Sequence, residues 1–178
     1  MLLSRASNGA LTAPGPDDRQ LRRIFEAAMR APDHGKLRPW RFYVVRGEGL
    51  TRLAGLFAAS ARRRDPQASE AQIDKERGKP LRSPVLIVVV AKIAEGHKIP
   101  EIEQVLSAGA AAMNILNAAH SLGFGAKWVT GSNCYDPRFR ADFGLDPTDR
   151  LIGFIHVGTA QTQIAAERPD PSDFIVEW

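Results

Sequence analysis

Apolar residues at Leu21, Ile24, Phe25 and Ala28 recur at the spacing of one helix face. Asp17 and Asp18 supply a cap at its start, and Pro32 stops it. Arg41 to Val45 is rich in aromatic and branched residues and reads as a strand. A second helix is predicted over Leu50 to Ala61, with Leu50, Leu53, Leu56 and Phe57 on one face. Pro66 to Lys79 is polar and suits a short, exposed helix. Pro84 to Ala91 is apolar without interruption from Val85 to Val90, the pattern of a central strand covered on both faces. Ile102 to Leu122 reads as a long helix ended by Gly123. Its middle, Ala108 to Ala112, is made of alanine and glycine. Such a stretch lets another element approach closely, either within one subunit or across a dimer. Gly123 to Gly131 carries one bulky residue, Trp128, among small ones. Pro137 to Phe143 suits a short helix, and Leu151 to Val157 a third strand. The tail from Pro169 to Trp178 is broken by proline and then apolar through Phe174, Ile175, Val176 and Trp178. An apolar end without a partner frays, so it is expected to dock on its own sheet or across a partner subunit.

A chain of 178 residues is expected to form a single domain, spanning residues 1–178. It can bury roughly 70% of its unfolded surface and needs no staple. The single cysteine, Cys134, excludes an intrachain disulfide and a multi-cysteine zinc site. No stretch approaches the roughly 18 apolar residues of a membrane span. The N-terminus lacks a charged start followed by an apolar core, so the expected location is cytoplasmic, with no membrane partner. The net charge of +4 is scattered, and the one tight run, Arg62 to Arg64, reads as a solvated helix end. Nucleic acid is therefore not an expected partner; salt-dependent retention on DNA would be its signature.

Chemistry is bounded by what is missing. There is no GxGxxG, P-loop, GxSxG or HExxH pattern. His34, His97, His120 and His156 stand far apart without ligand spacing, so no metal is expected. Cys134 reads as a packing residue. The informative stretch is Arg30 to Val45, RAPDHGKLRPWRFYVV. Pro32 and Pro39 fix backbone angles, and Asp33 and Gly35 form turns. His34, Lys36, Arg38 and Arg41 are donors suited to an anion or a polar ring, and Trp40 and Phe42 bring apolar area beside them.

RAPDH, a short turn, then PWRF and a strand resembles the segment that opens the core of the nitroreductase family, the FMN-dependent NAD(P)H oxidoreductases, and within it the short YdjA-like branch. The resemblance runs from about Ser4 to the tail. It implies an α+β fold: a mixed, mainly antiparallel sheet flanked by helices, assembled as an intertwined homodimer with FMN at the subunit interface. It also implies site residues. Near the start the family carries Arg-Arg-Ser; here Arg5 and Ser7 match, Ala6 replaces the second arginine, and Gly9 stands where a further arginine is often found. His34 is implied to contact FMN, and Arg38 takes a position that is often glutamine. A Trp-Arg-Ser run at the flavin becomes Trp128, Val129 and Thr130, so the charge lost at Val129 falls to Arg38 or Lys127. The implied activity passes hydride from NAD(P)H through flavin N5 to a flat, electron-poor acceptor, a nitroaromatic or quinone, by a ping-pong route, with no side chain acting as acid or base. The alternatives are a non-catalytic flavin-binding protein and a flavin-consuming or dehalogenating enzyme on the same fold.

Overall fold

The computed structural model describes residues 2–162, 164–165 and 167–178. The strands are β1 (Leu11–Thr12), β2 (Trp40–Arg46), β3 (Val85–Ala91), β4 (Gly125–Val129) and β5 (Arg150–Ala160). The helices are α1 (Asp18–Ala28), α2 (Glu48–Arg64), α3 (Glu70–Arg77), α4 (Glu101–Ser121) and α5 (Pro137–Phe143). The predicted helices and strands are all present, each within about three residues of its expected limits. The fold is α+β, and every strand pairing among the described residues is antiparallel. β3 runs between β2 and β5, and β5 also pairs with β4 and, at its end, with β1.

The unbroken apolar run of β3 is buried at every position. Its odd-numbered residues, from Val85 to Ala91, face a layer made by α1 and α4. Its even-numbered residues, Leu86, Val88 and Val90, face a layer made by α2 and α5. Successive side chains of a strand point to opposite faces, so a strand covered twice must be apolar throughout. α1 begins with a reciprocal cap: the Asp17 side chain accepts from Gln20 N, and Gln20 returns the bond to Asp17 N. In the second layer Phe139 is fully buried among Phe57, Phe143 and Phe154.

Four expectations change. β4 is a strand that composition alone did not signal. Arg62 to Arg64 is not merely a solvated helix end: Arg62 pairs with Glu70 at 2.9 Å, Arg63 with Asp142 at 2.7 Å, and Arg64 donates to Asn133 Oδ1 at 2.6 Å. α3 is not wholly exposed, because Ile73 is buried against Ala58 and Ala61. The tail forms one short turn, Pro171–Phe174, and leaves Phe174, Ile175, Val176 and Trp178 exposed, so it does not dock on its own sheet.

Candidate functional site

The opening turn is built under constraint. Gly35, Lys36 and Arg38 lie in left-handed backbone space at φ +66°, +56° and +52°. For the two residues other than glycine this costs about 1 kcal/mol each. Asp33 holds the turn: its Oδ2 accepts from Arg38 N at 2.8 Å. Ser107 Oγ of α4 donates to Pro32 O at 2.7 Å, tying the turn to that helix. Glycine suits position 35 by its φ, and a Cβ there would stand 2.4 Å from Ile99 Cδ1, so the end of that side chain would have to move. Strain maintained by the surroundings marks a place where conformation is over-determined. His34 is exposed, and its Nδ1 meets Glu103 Oε2 at 2.5 Å, so the turn sits at the N-terminal end of α4.

The N-terminal segment sits at the other end of α4. Ser4 Oγ and His120 Nε2 are 2.9 Å apart, and Arg5 and Ala6 border a hollow with Leu116, His120 and Ala126. Ser7 is exposed just beyond it. From Glu103 to His120 the helix rises roughly 25 Å at 1.5 Å per residue. One chain therefore does not bring His34 and Arg38 together with Arg5, Ala6 and Ser7.

Val129 and Thr130 border a separate cavity between β4, β5 and the end of α3, with Phe57 and Phe154 as apolar wall. Trp128 does not border it. Neighbouring residues of a strand face opposite ways, so Trp128 packs into the α1–α4 layer, where its Nε1 donates to Ile152 O at 3.2 Å. Of the two cations expected to replace the charge missing at Val129, Lys127 lies in the cavity and Arg38 of the same chain does not. Lys127 also bears on Gly9: a side chain at position 9 would begin 3.3 Å from Lys127 Cδ and 3.6 Å from its Nζ. The lysine ammonium thus occupies the space that the absent residue-9 side chain would use.

The cavity contains groups that sequence reasoning did not single out: Glu76, Lys79, Arg82 and His156. Lys79 is paired with Glu76, whereas Arg82 and Lys127 have no ion pair among the described residues. The available signals were the basic, proline-flanked turn RGKPLRSP before β3 and the one polar residue, His156, in the apolar run Leu151 to Gly158. Burial pushes the His156 imidazole down to about 4, and the neighbouring Arg82 and Lys127 push the same way. The folded chain thus holds the ring neutral, while the unfolded chain takes up a proton below its ordinary 6.5. Stability from this group is full above that pH and is lost as pH falls toward 4. Urea unfolding at pH 7 and pH 4.5 should differ by about 2 kcal/mol on this account, and His156→Gln should remove that part of the slope. Cys134, in the wall behind the cavity, is pushed up to about 12 by burial, and its thiol donates to Thr130 O at 3.3 Å. It is a packing thiol, not a nucleophile.

The model of the nitroreductase family matches residues 2–159. The chain belongs to the nitroreductase family. It is 40% identical over 179 residues to YdjA of Escherichia coli K12, covering 98% of this chain and 96% of that one, and YdjA is provisionally named an NAD(P)H nitroreductase. A provisionally named NAD(P)H nitroreductase of Haemophilus influenzae is 41% identical over 180 residues, covering 98% of this chain and 96% of its own. Among solved structures, the nitroreductase-like protein of Bacillus cereus superposes with a TM-score of 0.83 at 22% identity, over 99% of this chain and 93% of that one. A nitroreductase-type protein of Desulfovibrio desulfuricans, solved with FMN, superposes with a TM-score of 0.75 at 24% identity, over 99% and 94%. For this nitroreductase-family chain, no helix among the described residues is long and apolar enough to cross a membrane. No group of His, Cys, Asp and Glu among those residues is placed to hold a metal.

Proposed function

We propose that the chain binds FMN as a homodimer and acts as an NAD(P)H-dependent oxidoreductase on a flat, electron-poor acceptor such as a nitroaromatic or quinone. The observation that carries this reading is the division of the candidate site between the two ends of α4. The outer face of that helix is apolar and bare: Ile102, Leu106 and Met113 are 60%, 63% and 41% exposed, in line with Gly109 and Ala110. The midpoint between Glu103 and His120 falls at residues 111–112, inside the run of small residues. Two copies of α4 packed antiparallel about that point would set the His34 turn of one chain beside the Arg5 segment of the other. A two-fold interface makes two such sites.

The residues present suit the cofactor. Arg5 and Ser7 offer a cation and a hydroxyl to a phosphate, and Lys127, in the cavity with Val129, supplies beside the ring the charge that Ala6, Gly9 and Val129 do not. The walls at Phe57, Phe154 and Val129 suit a flat apolar face. When bound, FMN supplies the redox chemistry, accepting hydride at N5 from NAD(P)H and passing electrons to the acceptor. The chain's part is to orient the ring, place cations near its polar edge and keep water from its face. No side chain need carry a proton to the acceptor.

The deciding experiment is the visible spectrum of the purified protein, followed by NAD(P)H without oxygen. A flavin spectrum that bleaches supports a reductase. Flavin that stays oxidised would leave only a binding protein, and failure to take up FMN would overturn the proposal. Lys127→Met is expected to weaken FMN binding about tenfold by fluorescence titration, the loss of one charge-assisted bond.

A further inference from the structure

His156 borders the cavity together with Lys127 and Arg82, and the structure fixes which of its ring atoms can face a ligand. Ser83 Oγ donates its one hydrogen to Val85 O at 2.8 Å. The same oxygen meets His156 Nδ1 at 2.8 Å, so that nitrogen must be the donor of the pair. A neutral imidazole carries one hydrogen, here on Nδ1, and Nε2 is left as a bare acceptor. Nε2 has no protein partner among the described residues, and it is not among the sealed, unpartnered atoms of the core. His156 borders the cavity, so Nε2 is the polar ring atom left to face it.

The flanking groups are donors. β5 runs between β4 and β3. Lys127 of β4 is the direct cross-strand partner of His156, on the same face of the sheet. Arg82 precedes the serine that holds the imidazole. Both cations border the same cavity. The cavity therefore offers two cationic donors and, on the strand between β4 and β3, one acceptor.

We infer that His156 accepts a hydrogen bond from the N3–H of the flavin, with Lys127 and Arg82 donating to the carbonyl oxygens on either side of it. This deepens the FMN reading and rests on it. The imide edge of a flavin presents acceptor, donor, acceptor, the complement of this set. A phosphate presents acceptors only, so it would satisfy the cations but meet the Nε2 lone pair with repulsion. The set therefore favours the ring edge over the phosphate at this position. Ser83 is a positioning residue, acting through the tautomer it imposes.

The test is binding, not turnover. The full chain, stripped of flavin, is titrated with FMN and with FMN methylated at N3, following flavin fluorescence. The wild type should prefer FMN by about tenfold or more, the cost of leaving a buried acceptor unpaired. His156→Phe keeps the bulk but removes the acceptor; it should lose about tenfold for FMN and reduce the preference to less than about threefold. His156→Gln keeps an acceptor and should retain most of the preference. Should His156→Phe fail to fold, Ser83→Ala releases the tautomer and should narrow the same gap. A wild type that binds both flavins alike, or a preference that persists in His156→Phe and Ser83→Ala, overturns the inference while leaving the FMN reading intact. Uptake of neither flavin by the wild type overturns both.

Discussion

Charging the outer face of α4 is expected to separate the proposed protomers and, with them, the flavin site. Leu106→Glu combined with Met113→Glu places two carboxylates per chain on a face that is otherwise Ile102, Gly109 and Ala110. Across a two-fold axis those charges would face one another and lie out of water. Removing an ion from water costs several kcal/mol even after relaxation, and here no cation of α4 stands opposite to offset it. Sedimentation should therefore change from twice the 19.5 kDa chain mass to a single copy. FMN affinity should fall by about a hundredfold, because the His34 turn and the Arg5 segment would no longer meet. The folded monomer should survive, since Leu106 and Met113 are exposed within the chain and support neither of its core layers. A variant that remains dimeric, or a monomer that keeps its flavin, would end the shared-site reading. Glu substitution at Ala59 and Thr51 on α2, away from this face, is the control for added charge.

How much of this was legible in the residues depends on how local each signal is. α1 could be read because spacing and cap agree within one segment: Leu21, Ile24 and Ala28 are buried, and Asp17 closes the first turn. β3 could be read because a strand covered on both faces has no polar positions. β4 could not. Gly125 and Ala126 have little strand preference, and only pairing with Phe154 to Gly158 extends the segment. That pairing also separates residues that look like one motif: in Trp128-Val129-Thr130 the tryptophan faces one layer and the valine the other. The arginines ending α2 were illegible for a similar reason. Their partners Glu70, Glu76, Asp142 and Asn133 come from three later segments, and no local rule selects them. The two ends of α4 were legible as separate motifs, but their separation of roughly 25 Å emerges only once the helix is built.

Gly153→Ala tests the least legible of these contacts and should give the largest loss of stability. β5 bulges here: its pairing with β3 slips between Val89 and Val90, leaving Ile152 between the paired residues Leu151 and Gly153. The bulged carbonyl of Ile152 is the acceptor for Trp128 Nε1. The ring crosses directly over residue 153, so a Cβ there would stand 2.1 Å from Nε1, 2.7 Å from Cδ1 and 2.9 Å from Val129 O. Neither neighbour gives easily. The ring is held by its hydrogen bond and by the α1–α4 layer, and Val129 O belongs to the backbone of β4. Relief requires β4 to shift against β5, at a cost of about 3 kcal/mol. For a chain of this length that lowers Tm by roughly 10 °C. If the tryptophan ring is the obstacle, Trp128→Ala should relieve part of the cost. A double-mutant cycle between positions 128 and 153 should then show coupling of about 1 kcal/mol or more, whereas additive losses would mean that the backbone contact alone is responsible. The same shift would carry Lys127, Val129 and Thr130, which border the cavity on the opposite face of β4, away from His156 on β5. Gly153→Ala should therefore weaken FMN binding from a position that faces away from the cofactor, and flavin titration well below the lowered Tm separates that effect from simple unfolding.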